Sequence, residues 1–336
     1  MTEPVLVTGG GGVVGEVLVR RLIAAGRPVR ALARSEASAG SLGAMGAETV
    51  RGDVMDLGSL AEAMRGCSTV FHVAGMNAMC LRDPTPMIVT NVEGSANAIR
   101  AAAESGVGRV VYTSSSSAIG EAHGTVGRED SPHRGSYLSA YERSKREAER
   151  VVFGLAGELG VEVVAVNPSS VQGAGRATGS ARLLLGVVNG RLPLLVDTTI
   201  SLVDIDDCAE GHVLAETRGT PGERYLLSGA TLTTREAVAL LERIWGLPRR
   251  PRFAPAWLAS AGGRAAWAGA RLLRRDAPVC PEAVRTLLHG HRYDGSKATR
   301  ELGLTYTPVE DTLRRTLEWC AERGLVPPAR PGHAKP

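Results

Sequence analysis

The chain has 336 residues, 43% of them hydrophobic and 22% charged, a balance that permits a sizeable core and excludes a disordered polypeptide. A net charge of +4 without a run of like charges supplies no nucleic-acid footprint. Five cysteines without a C-x-x-C pair argue against a disulfide framework or a zinc site and fit a reducing compartment.

Pro4–Thr8 reads as a strand and Val13–Ala25 as a helix. Pro28–Ala33 is the next strand, followed by a helix or loop and the strand Glu48–Arg51. A helix over Leu57–Met64, a strand over Thr69–Ala74 and a long helix over Met87–Ser105 come next. The strand Arg109–Ser114, the helix Ala140–Leu159 and the strand Val161–Asn167 complete the series. Such alternation builds βαβ units, because each crossover helix must cover one face of a parallel sheet. The expected fold class is α/β, a Rossmann-type doubly wound parallel sheet with a smaller, mostly helical C-terminal substrate lobe.

Residues 1–167 would form the Rossmann domain, with 201–228 returning to it as a helix (Ser201–Glu216) and a strand (Arg224–Ser228). Residues 168–200 and 229–330 would form the substrate lobe, and 331–336 a flexible tail. The apolar stretch Ala254–Leu273 contains Gly262, Gly263, Arg264 and Arg271, so it reads as a lid or surface helix, not a stable membrane insertion. The N-terminus enters a strand without a basic leader, which predicts a cytoplasmic protein.

The segment Val5-Leu6-Val7-Thr8-Gly9-Gly10-Gly11-Gly12-Val13-Val14-Gly15 is an apolar strand, a glycine turn and a helix start. Residues without a Cβ let backbone N–H groups approach a pyrophosphate, and the helix N-terminus favours the anion. Gly9, Gly12, Val13, Val14 and Gly15 are therefore read as cofactor-binding. The second strand carries no acid between Val29 and Ser35 to bond ribose hydroxyls. Arg34, and with it Arg30, would instead meet a 2′-phosphate, which favours NADP(H) over NAD(H).

The G-x-x-G-x-x-G spacing, the strand end Thr113-Ser114-Ser115-Ser116 and Tyr141-x-x-x-Lys145 resemble the extended branch of the short-chain dehydrogenase/reductase superfamily, also called the NAD-dependent epimerase/dehydratase superfamily. The resemblance runs over almost the whole chain and implies a Ser-Tyr-Lys site. Tyr141 would transfer the proton, and Ser115 would hold the substrate oxygen, with Ser114 or Ser116 as neighbouring possibilities. Lys145, one helical turn on, would lower the phenol pKa and hold the nicotinamide ribose. Asn91 would steady the helix and the proton path.

The resemblance also implies that Asp53, with Val54, meets the adenine, that Ala74 and Gly75 pass against the cofactor, and that Thr113, Pro168, Ser170 and Val171 border it. His72 reads as a packed strand residue. Met76, Ser116 and Asn167 are substrate-side candidates. Asn167 stands where some nucleotide-sugar epimerases contact a diphosphate, which nudges toward a sugar. Met76, Met79 and Met87 hint instead at an apolar substrate.

Two groups of the branch fit. One is the dihydroflavonol-4-reductase-like reductases, with NADPH-dependent reduction of an aldehyde or ketone, or the reverse alcohol oxidation. The other is the hopanoid-associated sugar epimerase-like group, with nucleotide-sugar epimerase or dehydratase chemistry on a retained NAD. A non-catalytic cofactor-sensing protein is a third reading, which retention of both Tyr141 and Lys145 disfavours. The expected partner is a small-molecule carbonyl or alcohol, without nucleic acid or a protein-bound metal. A homodimer through the helices at Met87–Ser105 and Ala140–Leu159 is what the family implies.

Overall fold

The computed structural model describes residues 3–272 and 280–330. Alternating elements open the chain: β1 (Val5–Thr8), α1 (Val13–Ala24), β2 (Val29–Ala33), α2 (Glu36–Ala44), β3 (Glu48–Arg51) and α3 (Leu57–Met64). They continue as β4 (Thr69–His72), α4 (Thr85–Glu104), β5 (Arg109–Thr113), α5 (Ala140–Leu159) and β6 (Glu162–Pro168). Then come β7 (Ser170–Gln172), α6 (Ala181–Val188), β8 (Leu194–Val196), β9 (Thr199–Asp204), α7 (Ile205–Arg218) and β10 (Arg224–Leu227). The last elements are β11 (Ala230–Thr233), α8 (Thr234–Ile244), β12 (Arg252–Ala254), α9 (Ala256–Leu272), α10 (Pro281–His289) and α11 (Val309–Glu322).

Seven strands form one parallel sheet in the order β10-β6-β5-β4-β1-β2-β3. Their side chains alternate between two cores, as strand geometry requires. Val5 and Val7 of β1 pack with Leu18 and Leu22 of α1 and Ala209 of α7. Leu6, between them, faces Leu60 of α3, Ile99 of α4 and Val152 of α5. Alanines at 98, 101 and 102 of α4 let α5 lie close beside it. The chain winds one way through β2 and β3 and the other way through β4, β5 and β6. The switch point therefore falls between the carboxyl ends of β1 and β4, where this architecture opens its ligand crevice.

A third core joins Val188 of α6, Leu241 of α8 and Leu317 of α11 in the C-terminal lobe. The return to the main sheet begins later than expected. Residues 199–204 are not helical but form β9, which pairs with β7 and β11 in a second sheet. The β-branched Thr199, Ile200 and Val203 suit a strand, and Asp204 caps the helix that follows by accepting from the Asp206 N–H. Val326–Arg330 is anchored to the lobe: Val326 is buried, the Trp245 indole donates to the Pro327 carbonyl, and the Arg330 N–H bonds the Trp245 carbonyl. The expected flexible tail, 331–336, lies outside the described residues.

The cysteine reading is corrected. Cys80, in the loop after β4, and Cys280, just before α10, form a disulfide across a separation of 200 residues. Sequence spacing is silent on partners that only the fold brings together. Cys67, Cys208 and Cys320 are free and buried. Helix α9 lies on the surface with Trp257 exposed, and no helix among the described residues is long and apolar enough to cross a membrane.

Candidate active site

Gly9 takes φ +70, and a Cβ there would lie 2.5 Å from the Ala74 nitrogen, so β1 and the end of β4 touch only because position 9 has no side chain. A Cβ on Gly15 would lie 2.1 Å from the Gly9 carbonyl oxygen, which sets how closely α1 approaches the turn. The Gly12 N–H bonds that same oxygen at 2.9 Å. Gly12 caps α1 without a side-chain hydrogen bond, leaving the first N–H groups of the helix, from Val13 and Val14, directed outward. The cradle fits a pyrophosphate: Gly11 and Gly12 exposed to solvent, a bare helix N-terminus and no acidic side chain in the turn.

On the adenosine side, Asp53 accepts from the Met55 N–H through Oδ1 and so presents a fixed carboxylate beside Val54. Arg34 is exposed at the end of β2 and makes no hydrogen bond or ion pair among the described residues. Arg30 is otherwise occupied. Its guanidinium donates to the carbonyls of Ala63 and Arg65 and pairs with Glu48, so it does not serve a phosphate. Ser35 and Ser38 stand next to Arg34: Ser35 caps α2, and the Ser38 hydroxyl lies against Gly11.

The catalytic candidates converge at the carboxyl end of β5. Ser139 caps α5 by accepting from the Glu142 N–H, which sets Tyr141, Lys145 and Glu149 at four-residue spacing along one face. The buried Lys145 donates from Nζ to the Thr113 carbonyl at 2.9 Å and lies over the Tyr112 ring. Burial lowers its pKa to about 8, against the pull of Glu149. A Cβ on Gly75 would stand 3.3 Å from both the Lys145 ammonium and Asn91 Oδ1, so a bare position 75 leaves that corner open. Burial raises the Tyr141 phenol, while the Ser115 hydroxyl and the Arg176 charge draw it back down. Arg176, which the sequence did not point to, is thus a cation acting on the phenol in addition to the expected Lys145 on the same helix face.

The serine run separates by direction. Ser114 turns into the core and donates to Glu149 Oε2, and Ser116 bonds Tyr293. Ser115 is the one that meets Tyr141; its Oγ accepts from Ser117, which leaves its own proton available. Asn91 is a strut. Its amide bonds both the N–H and the carbonyl of Met76 and donates to Ser144, clamping the loop after β4 to α5. His72 is packed as expected, held between Thr8 and Ser95 and kept neutral by burial, which lowers its pKa to about 3. Thr113 bonds the buried, neutral His212 through its hydroxyl.

Asn167 is corrected. It is fully buried, donating to the Ser115 carbonyl at 3.0 Å and to Glu149 at 2.7 Å, so in this structure its amide nitrogen supports the serine loop from below instead of facing open space. Met87 is also buried in α4, whereas Met76 and Met79 are exposed on the loop after β4. Pro168 ends β6; Ser170 bonds Ser180 and opens β7, with Val171 buried behind it.

Two residues were missed. Glu149 gathers Ser114, Asn167 and Arg224 around one buried carboxylate beneath the site. Arg176 acts on Tyr141 from the loop after β7, with a buried Nε that has no partner. The i, i+4, i+8 spacing could have pointed to Glu149, but nothing local marks Arg176. An open groove of about 990 Å³ lies elsewhere, at the β10 edge, where Arg224, Lys297 and Arg128 pair with Glu149, Glu223 and Asp294.

Comparison with known proteins agrees with this fold. Residues 5–228 match the family described as the NAD dependent epimerase/dehydratase family. The chain is 33% identical to a putative dihydroflavonol 4-reductase of Synechocystis sp., over 97% of each chain. It superposes on the crystal structure of gox2253 with a TM-score of 0.83 at 30% identity, covering 99% of this chain and 100% of that one. It superposes on MoeE5 in complex with UDP-glucose and NAD with a TM-score of 0.74 at 26% identity, covering 96% and 99%. The chain belongs to the NAD dependent epimerase/dehydratase family and is an enzyme of the extended short-chain dehydrogenase/reductase type.

Proposed function

We propose that this enzyme catalyses the NADPH-dependent reduction of an aldehyde or ketone, or the reverse oxidation of an alcohol. The observation that carries the reading is the meeting of Ser115 with Tyr141, beside the buried Lys145, at the carboxyl end of β5. The bound dinucleotide supplies or takes the hydride. Ser115 donates a hydrogen bond to the carbonyl oxygen and fixes its direction. Tyr141 gives its proton to that oxygen in reduction and takes it back in oxidation. Lys145 and Arg176 offset the negative charge left on the phenol. Met76, exposed on the loop after β4, is the substrate-side residue of this reading, and Ser116, turned to Tyr293, would act there only through its neighbour Ser115. NADP(H) is supported by the unpaired Arg34 and by the absence of an acid between Val29 and Ser35.

A second reading, nucleotide-sugar epimerase or dehydratase with retained NAD, draws support from the family description and from MoeE5 with its UDP-glucose and NAD. Burial of Asn167 weighs against it by removing the residue that would have met a diphosphate. Denaturing the purified enzyme and identifying the released nucleotide separates the two. Near-stoichiometric NAD(H) would overturn the reductase reading. Little retained nucleotide, with NADPH-driven turnover of carbonyl compounds that drops 100-fold or more in Tyr141→Phe, is the expected result. The homodimer through α4 and α5 belongs to the same proposal, and sedimentation equilibrium checks it.

A further inference from the structure

A second cluster of ligating side chains stands next to the serine loop, and neither the dinucleotide site nor the Ser-Tyr-Lys site uses it. Glu121 follows the loop that carries Ser115, and His289 and His291 lie at the end of α10 and just beyond it. Their ligating atoms all fall within 4.8 Å of one another. Glu121 Oε1 is 3.3 Å from His289 Nε2 and 2.7 Å from His291 Nδ1. Glu121 is 1% exposed and His289 8%, yet Glu121 Oε2 and His289 Nε2 have no hydrogen-bond partner. Buried polar atoms left without partners are costly, and two of them within one compact cluster of ligating groups indicate a missing positive ligand.

We propose that Glu121, His289 and His291 bind a divalent transition-metal cation of the zinc class. The donor set is two imidazoles and one carboxylate, which suits zinc and its neighbours and not magnesium or calcium. Bonds of about 2.1 Å in tetrahedral array place ligand atoms roughly 3.4 Å apart. The Glu121–His289 separation of 3.3 Å is close to that value, whereas the 2.7 Å Glu121–His291 contact has to open by about 0.7 Å and His291 Nδ1 has to give up its 2.9 Å bond to the Tyr293 hydroxyl.

The backbone on both sides is held independently. Arg134 donates to the Glu121 carbonyl, His123 bonds the His289 carbonyl, and Ser201 bonds the His291 carbonyl and the Tyr293 N–H. Tyr293 links the cluster onward to Ser116, so the cation would tie the catalytic loop to the C-terminal lobe. The cysteine count argued against a zinc site, but these donors contain no sulfur, and Glu121 lies 168 residues before the nearer histidine.

The test uses tag-free full-length enzyme, stripped with chelator under non-reducing conditions so that the Cys80–Cys280 disulfide stays closed. Cobalt(II) titration is expected to give visible ligand-field bands that saturate at one equivalent and are chased by zinc, without a thiolate charge-transfer band. Glu121→Gln and His289→Gln are expected to weaken binding at least tenfold. X-ray absorption at the zinc edge on wild-type protein reads the ligands without any variant, and is expected to show imidazole and oxygen scattering. No saturable binding up to millimolar cobalt, binding unchanged in both variants, or sulfur scattering would each overturn the proposal, leaving the cluster a metal-free hydrogen-bond network.

Discussion

Gly15→Ala tests the geometry of the dinucleotide cradle most directly. The added methyl would sit 2.1 Å from the Gly9 oxygen, 2.8 Å from the Gly9 carbonyl carbon and 2.9 Å from Gly10 Cα, all backbone atoms that cannot swing aside. Reaching ordinary contact requires α1 to retreat from the turn by about 1 Å. That retreat disturbs the packing of Leu18, Val19 and Leu22, and overpacking of this kind costs about 1–3 kcal/mol. Alanine recovers up to about 1 kcal/mol through helix propensity, so a net loss of about 1–2 kcal/mol is expected. Nucleotide binding should suffer more, because its N–H donors move with the helix; a tenfold loss corresponds to about 1.4 kcal/mol. Gly157→Ala is the matched control. It lies in α5 with nothing within 4 Å of the new methyl, and should stabilise by about 0.5–1 kcal/mol without touching affinity. Urea unfolding followed by circular dichroism, with calorimetric titration of NADPH, reads both. A Gly15→Ala enzyme with wild-type stability and affinity would refute the reasoning.

Lys145 gives a pH signature. Its folded pKa, about 8, is below the usual value of 10.5, so the folded state loses that proton first. The cost of burying the charge is fully present below pH 8 and is relieved as pH rises toward 10.5, by on the order of 3 kcal/mol. The stability of wild type minus that of Lys145→Met, measured by denaturant melts from pH 7 to 10.5, should therefore rise; a flat or falling difference contradicts the assignment. Arg34→Glu should weaken NADPH binding at least tenfold while leaving NADH little changed or improved, in competitive titration. Arg30→Gln should leave the NADPH-to-NADH ratio unaltered, since its guanidinium is held by Ala63, Arg65 and Glu48. Thiol titration of denatured, non-reduced protein should count three cysteines, rising to five after reduction; five in both states would exclude the Cys80–Cys280 disulfide.

Much of this protein is local and could be read from the sequence. The strand, glycine turn and helix over Val5–Gly15 depend on apolar periodicity and on the absence of Cβ atoms, both visible residue by residue. Tyr141, Lys145 and the bounds of α5 follow from helical spacing and a serine cap. The parallel sheet follows from the alternation of elements, because crossover helices leave few topologies open. What sequence could not decide was direction and distance. Ser114, Ser115 and Ser116 are chemically identical, and only the packing of β5 against α5 turns one to Glu149, one to Tyr141 and one to Tyr293. Asn167 and Arg30 carry suitable chemistry but are fixed to other partners, so resemblance and residue type suggested roles that those contacts take up. Arg176, the Cys80–Cys280 pair and the Glu121–His289–His291 cluster depend on contacts between distant segments. Periodicity and spacing carry no information across such separations; the tertiary fold alone closes them.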